Sequence, residues 1–352
     1  MKSDTSAFVL DLTFEALSKM VSACGEAPFR AGQIWQGIYR DLRPGWEAFT
    51  TLSRPLRERF AAALEYSHLT PVQDLVSSDK ETQKTLFTLP DGHAIEAVLM
   101  RYTSRQTLCI SSQAGCAMGC SFCATGQMGY RRNLSSGEII EQVLHYARLL
   151  RSEGKSVTNI VVMGMGEPFL NYDAVLTTVD RLNDPSGFNL GERRFTISTV
   201  GIIPGIERFT REKRQVNLAV SLHAANDDLR SQLIPANQKY PIRDILLACR
   251  SYIDQTHRRV TFEWALIQGI NDRPQDAREL AFLLRGMLCH VNLIALNPTR
   301  RFKGTPTAGQ QVEAFKAILE QHNIPCSIRL RRGIDIQAGC GQLAERLPAR
   351  QR

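Results

Sequence analysis

Residues 115–126 read GCAMGCSFCATG, and the placing of Cys116, Cys120 and Cys123 within that stretch decides how the rest of the chain is read. Iron–sulfur clusters normally take four cysteine ligands, and structural zinc closes its tetrahedron with four Cys or His groups. Here three thiols stand together with no fourth cysteine close by downstream. Such a set suits a [4Fe-4S] cluster held by three thiolates, with one iron left open for chemistry. Gly115 and Gly119 let the backbone wrap closely round the cluster sulfurs without a Cβ in the way.

Outward from this loop, short apolar runs alternate with longer segments of helical period. Strands are expected over Thr107–Ser111, Asn159–Met165, Arg194–Val200, Asn217–His223, Arg259–Ile267 and Val291–Asn297. Helices are expected over Ser136–Ser152, Tyr172–Leu182, Pro204–Glu212, Ile242–Gln255, Pro274–Arg285 and Gly309–His322. Repeated βα units imply an α/β fold with a parallel sheet, and six of them can curl into an incomplete (β/α)6 barrel. Active sites of such barrels collect at the C-terminal ends of the strands. The cysteine loop follows the first strand, and Gly164-Met165-Gly166-Glu167-Pro168 follows the second. Ser198 follows the third strand, Ser221, Leu222 and His223 close the fourth, and Asn297 closes the sixth. Singly these are ordinary strand-end residues; together they ring one rim.

Before residue 100 the pattern differs. Leu12–Cys24, Arg30–Leu42 and Pro55–Tyr66 carry apolar residues at helical spacing, and Lys84–Leu89 and Ala94–Tyr102 read as strands joined by the turn Pro90-Asp91-Gly92. The expected division is a helical accessory domain over 1–68, a connecting β-hairpin segment over 69–103, the barrel over 104–333 and a tail over 334–352. Among 352 residues, 43 Lys and Arg against 35 Asp and Glu give a net charge of +8, which permits a polyanionic partner. Nine cysteines are an odd number, nothing at the N-terminus resembles a signal peptide, and no apolar run reaches the roughly 18 residues of a membrane span. Reduced thiols in the cytoplasm, and no membrane, are therefore expected.

The CxxxCxxC loop after a first strand, with GxGEP after the second, resembles the radical S-adenosylmethionine superfamily. TLCISSQAGC at 107–116, LNPT at 296–299, GIDIQAGCGQL at 333–343, RAGQIWQGIY in the N-terminal region and DGHAIEAVLM before the barrel narrow the likeness to the RlmN/Cfr family of RNA adenine methyltransferases. The resemblance implies a radical SAM barrel, with Cys116, Cys120 and Cys123 as cluster ligands. It implies S-adenosylmethionine at the open iron, gripped by Gly166, Glu167, Ser198, Ser221, Leu222, His223 and Asn297.

It also gives roles to two further cysteines. Cys340 matches the family cysteine that carries the methyl group, and Cys109 the one that helps release the product. An aromatic C–H carbon of adenine is electron-poor, so direct transfer of a methyl cation should fail, whereas a carbon radical can add there. As the resemblance implies, one S-adenosylmethionine methylates Cys340, and a second yields a 5′-deoxyadenosyl radical that abstracts hydrogen from the S-methyl group. The thiomethylene radical adds to adenine, the adduct loses an electron and a ring proton, and Cys109 attacks the Cys340 sulfur to leave a disulfide. Glu96 matches the family's proposed proton acceptor; read alone it is equally an exposed strand glutamate. Cys24, Cys249, Cys289 and Cys326 read as structural.

The implied substrates are 23S rRNA, at C2 of adenine 2503, and tRNAs, at adenine 37. Flavodoxin or ferredoxin is the implied class of electron donor, and a monomer is expected. Arg131 and Arg132, then Arg300, Arg301 and Lys303, then Arg329, Arg331 and Arg332 could border the opening as phosphate contacts, the last group on a strand Ile328–Arg332. Tyr130 and Phe302 are stacking candidates for an adenine drawn out of its stack. A C8-methylating Cfr-type enzyme is the alternative within the family, and a non-methylating iron–sulfur RNA-binding or redox module lies outside it. A structural zinc protein is weaker still. The tail reads QAGCGQL where AACGQL is expected, so Gly339 is expected to loosen the loop that carries Cys340.

Overall fold

A computed structural model describes residues 7–329 and 331–343. Strand β1 (Ala7–Phe8) leads into helices α1 (Phe14–Ala23), α2 (Phe29–Tyr39) and α3 (Arg54–Ala63), and β1 pairs in parallel with β2 (Leu64–Glu65). The Thr13 hydroxyl caps α1 by accepting from the Ala16 N–H. Three antiparallel strands follow: β3 (Thr70–Val76), β4 (Thr82–Thr88) and β5 (Ala94–Arg101). The Pro90-Asp91-Gly92 turn joins the last two, with Gly92 at a φ of +84°.

Strand β6 (Gln106–Cys109) opens the barrel. A small ribbon of β7 (Gln113–Gly115) and β8 (Tyr130–Asn133) brackets the short helix α4 (Ala124–Met128). Then come α5 (Ser136–Ser152), β9 (Asn159–Val162), α6 (Tyr172–Asn183), β10 (Phe195–Thr199), α7 (Ile203–Glu212) and β11 (Asn217–Ser221). The chain continues through α8 (Asp227–Leu233), α9 (Ile242–Thr256), β12 (Val260–Leu266), α10 (Pro274–Leu284), β13 (Cys289–Ala295), α11 (Gly309–Gln321) and β14 (Cys326–Ile328). Helix α5 begins with a reciprocal capping box between Ser135 and Glu138.

One 10-stranded sheet carries most of these strands, in the order β14-β13-β12-β11-β10-β9-β6-β5-β4-β3. From β6 to β14 every neighbouring pair is parallel. All six barrel strands read from the sequence are present, and the short β14 extends the parallel run. The segment before the barrel is more than a bridge: β5 pairs antiparallel with β6, so β3 to β5 continue the barrel sheet. Strand β3 had no sequence signal, because it is an edge strand exposed over most of its length and carries Pro71.

The N-terminal helices share one apolar core with the barrel, from Leu17, Ile34 and Ile38 to Ile197 and Phe262. Polar ties reinforce the junction. The Trp35 indole donates to Asp184 at 2.7 Å, and Arg181 donates to the Leu12 carbonyl at 2.6 Å. Tyr146 of α5 is fully buried, and its hydroxyl lies 2.8 Å from both the Thr85 hydroxyl and the Ala97 carbonyl. This contact welds the antiparallel extension to a barrel helix. Tyr146→Phe is expected to lower stability by about 1–2 kcal/mol in urea unfolding, the cost of leaving buried partners unpaired. An unchanged midpoint would show that the extension is held by packing alone.

Candidate active site

The ribbon of β7 and β8 pinches the loop at 116–129 into a closed hoop. Cys116 N–H donates to the Gly129 carbonyl at 3.0 Å. At Gly115 φ is +72°, and a Cβ there would lie 2.0 Å from the Gly129 oxygen, so the hoop requires glycine. Cys116, Cys120 and Cys123 line a cavity of about 160 Å³ at the C-terminal ends of the parallel strands. Among the described residues no three His, Cys, Asp or Glu converge tightly enough to hold a single metal ion. Thiols spread round a cavity fit a cluster, in which each thiolate takes a different iron, better than one tetrahedral zinc. Burial pushes the Cys116 thiol up to about 12 and raises Cys120 and Cys123 too, so binding a cluster must expel protons.

The opposite wall of this cavity gathers Gly166, Glu167, Ser198, Ser221, His223 and Asn297. Leu222 does not join them: its side chain is fully buried in the apolar core, and its carbonyl accepts from Arg230 at 3.1 Å. Gly166 has a φ of +104°, and a Cβ would lie 2.6 Å from the Gln113 Cβ. The Gln113 side-chain oxygen accepts from the Glu167 N–H at 2.8 Å and so fixes the second loop against the first. The Glu167 carboxylate accepts from the N–H groups of Phe169 at 3.0 Å and Val200 at 2.9 Å, while burial pushes it up to about 7. It thus ties the ends of β9 and β10 together.

His223 sits at a left-handed φ of +59°. Burial, followed by the charge of Arg230, pushes its imidazole down to about 3. Nδ1 accepts from the Ala265 N–H at 2.8 Å, which assigns the proton of the neutral ring to Nε2. The ring meets Phe122 of the cluster hoop edge-on, centroids 4.9 Å apart.

The tail closes the mouth. Ala124 N–H donates to the Gly341 carbonyl and the Thr125 hydroxyl to the Leu343 carbonyl, each at 2.7 Å. Asn297 Nδ2 donates to the Cys340 carbonyl at 3.1 Å, and Gln342 Nε2 to the Pro298 carbonyl at 2.9 Å. Cys340 carries an exposed thiol on this strap and lines the cluster cavity. It also lines a second cavity, of about 80 Å³, together with Cys109, Val98, Met100 and Arg329. Burial pushes the Cys109 thiol up to about 12; the Cys340 charge adds to that and Arg329 opposes it.

Gly339 does not loosen this strap. It is buried, its N–H donates to Gln342 at 3.1 Å, and a Cβ would lie 2.6 Å from the Asn297 amide nitrogen. Glu96 is not an exposed strand residue either, being 4% exposed and paired with the buried Lys84 at 2.8 Å. Lys84 in turn donates to the Gln337 carbonyl of the tail at 3.2 Å. Glu96 lines neither cavity, although Val98 and Met100, on the same face of β5, line that of the two thiols.

The basic residues divide. Arg131, Arg300, Arg301, Lys303 and Arg331 are exposed. Arg132 is engaged by Asp91 and Glu138, and Arg332 by Glu81. Arg329 turns inward, because its strand ends at Ile328 and not at Arg332, with Leu330 outside the described residues. Phe302 meets Phe122 edge-on at 6.4 Å, while Tyr130 is 44% exposed. The sequence reading missed Arg230, a fully buried arginine that donates to the carbonyls of Val200 at 2.6 Å and Ser221 at 3.1 Å. It locks the ends of β10 and β11, and nothing in the polar stretch DDLRSQL announces that.

A partial parallel barrel with an open three-thiol hoop at its mouth is the architecture of a radical SAM enzyme. The radical SAM superfamily model matches residues 110–281. The model of the ribosomal RNA large subunit methyltransferase N-terminal domain matches residues 9–65. A dual-specificity RNA methyltransferase RlmN 1 from Myxococcus xanthus is 46% identical, covering 100% of this chain and 98% of the relative. A probable dual-specificity RNA methyltransferase RlmN from Moorella thermoacetica is 49% identical over 94% of each chain. The crystal structure of a radical SAM methyltransferase from Sphaerobacter thermophilus superposes with a TM-score of 0.94 at 50% identity, covering 96% of this chain and 99% of that one. The chain belongs to the RlmN family, and the family implies a [4Fe-4S] cluster and S-adenosylmethionine.

Because His223 is held neutral when folded but takes up a proton near 6.5 when unfolded, the unfolded state binds more protons between these values. Stability of the apoprotein should therefore fall as pH drops from 6.5 towards 3, by at most about 1.4 kcal/mol per unit from this group. His223→Asn, which keeps an acceptor and tolerates positive φ, should flatten that slope in urea titrations. An unaltered slope would show that His223 is not held neutral.

Proposed function

We propose that this protein methylates C2 of a specific adenine in 23S rRNA and in tRNAs, at the positions 2503 and 37 that the family likeness implies. The observation that carries this reading is the position of Cys340, which lines both the cluster cavity and the cavity of Cys109. One thiol thus faces the source of a methyl group on one side and an attacking thiol on the other. The RlmN names of the relatives and the match over residues 9–65 favour this type over a C8-methylating enzyme.

Cys116, Cys120 and Cys123 hold the cluster, and Gly166, Glu167, Ser198, Ser221, His223 and Asn297 bind S-adenosylmethionine, two molecules per turnover. Leu222 holds Ser221 and His223 in place: its N–H donates to the Glu263 carbonyl and its carbonyl accepts from Arg230, each at 3.1 Å. When bound, cluster and cofactor supply a one-electron cleavage that yields a 5′-deoxyadenosyl radical. Cys340 first accepts a methyl group on sulfur and then carries the carbon that bonds to adenine. Glu96, beside the thiol cavity on β5, takes the ring proton. Cys109 as thiolate attacks Cys340 Sγ: an S–S bond forms, the Cys340 S–C bond breaks, and the electron pair passes to carbon, which takes up a proton as the methyl group. A dithiol reductant then restores both cysteines.

The regions 1–68, 69–103, 104–333 and 334–352 divide this work as accessory domain, sheet extension, barrel and methyl-carrying tail. Exposed Arg131, Arg300, Arg301, Lys303 and Arg331 supply phosphate contacts to the RNA. A monomer in the cytoplasm, reduced by a flavodoxin or ferredoxin, completes the reading. Among the described residues no helix is long and apolar enough to cross a membrane.

Cys340→Ala should abolish methylation. Cys109→Ala should still form the bond to RNA but fail to release it, leaving a protein–RNA adduct that survives denaturing electrophoresis. Release of methylated RNA at the parental rate by Cys109→Ala would overturn the two-thiol assignment.

A further inference from the structure

Arg329 stands where three cavities of the barrel meet. It lines the cluster cavity, the small cavity shared by Cys109 and Cys340, and a large polar cavity at the N-terminal end of the strands. Its backbone N–H donates to the Leu293 carbonyl at 2.8 Å, and one guanidinium nitrogen lies 3.7 Å from the Met163 sulfur. The backbone is thereby held to β13, and the side chain reaches the loop after β9. No carboxylate forms an ion pair with it among the described residues.

Glu263 is the carboxylate whose charge acts on it. It lines both the cluster cavity and the lower polar cavity, one oxygen accepts from Asn292 at 2.9 Å, and the other has no hydrogen-bond partner among the described residues. The charged or titratable groups facing Arg329 are therefore Cys340 from the tail, Cys109 from β6, Glu263 from β12 and Tyr102 just after β5. Cys123 also lines the thiol cavity but is committed to the cluster.

We infer that Arg329 is a positioning residue for the thiol pair, placing a fixed positive charge beside the cavity that Cys109 and Cys340 share so that Cys109 can attack as a thiolate. The inference rests on the two-thiol reading above. Its physical basis is the conflict visible at Cys109: burial disfavours its thiolate, the neighbouring thiol adds repulsion, and Arg329 is the cation that opposes both. The Cys340 charge is in turn the largest influence holding Arg329 protonated. Attack of Cys109 on Cys340 Sγ forms the S–S bond and sends the pair of the breaking S–C bond to carbon. Arg329 alters the supply of the attacking thiolate and takes no atom in the exchange.

The test uses the full-length apoprotein, so that it does not depend on the loaded cluster. Exchange of Cys109 and Cys340 with oxidised glutathione is followed by mass spectrometry of the two peptides from pH 6 to 10. For Arg329→Gln, the Cys109 rate should fall about tenfold throughout this range, because burial keeps the thiolate the minor form at each of these pH values. Arg329→Lys, which keeps the charge, should recover most of the loss. An unchanged Cys109 rate, or a loss that Arg329→Lys does not recover, would overturn the inference. Cys109→Ala in the loaded enzyme serves as the separate control: if it traps no adduct the two-thiol reading fails, and if it traps one while the Arg329→Gln rate is unchanged, only the inference fails.

Discussion

Two hydrogen bonds, from Ala124 N–H to the Gly341 carbonyl and from the Thr125 hydroxyl to the Leu343 carbonyl, hold the tail against the cluster hoop, and the site depends on them. They are short, 2.7 Å each, and are supported by Asn297, from the loop after the sixth barrel strand, and by Gln342 of the tail, which reaches the Pro298 carbonyl of that loop. Without the strap, Cys340 would be an exposed thiol on a tail. With it, the same thiol is shared between two cavities. Gly339 belongs to this constraint, since the close approach of the Asn297 amide leaves no room for a Cβ.

Beneath the strap, the barrel ends are held by charges and polar groups that do not face solvent. Glu167 ties β9 to β10, Arg230 ties β10 to β11, and Gln113 ties the first loop to the second. Each is a buried group whose desolvation is offset by its partners: several backbone groups for Glu167 and Arg230, and the Glu167 N–H with the Asn133 side chain for Gln113. Such groups fix loop ends more precisely than apolar contact does, because losing one partner leaves a buried charge or amide unpaired. A rigid rim is what a reactive carbon species requires if it is to meet one partner and not another.

Much of this was legible in the sequence, and the rest was not for identifiable reasons. The parallel strands announced themselves because their buried positions are apolar, as nearly continuous runs in β11 and β12 and as alternation in β10 and β13. The cluster hoop was visible in its cysteine spacing, and the turn before β5 in its Pro-Asp-Gly. Strand β3 stayed hidden because an exposed edge has little alternation to show. Arg329 was read as an RNA contact because nothing in CSIRLRR reveals that the strand ends at Ile328 and turns the first arginine inward. Glu96 read equally as an exposed glutamate, since its partner Lys84 lies on a neighbouring strand. Pairings across strands decide burial, and a single sequence does not display them.

The proposed function requires the new carbon on adenine to pass through the Cys340 sulfur. The most direct measurement supplies S-adenosylmethionine deuterated on its methyl group to anaerobically reconstituted protein with unmodified ribosomal RNA, and determines the mass and position of the product methyl. Passage through a thiomethylene carbon removes one deuterium and later adds a solvent proton, so 2-methyladenosine with two deuteriums is expected. A methyl group that keeps all three would mean direct transfer and would contradict the proposed function.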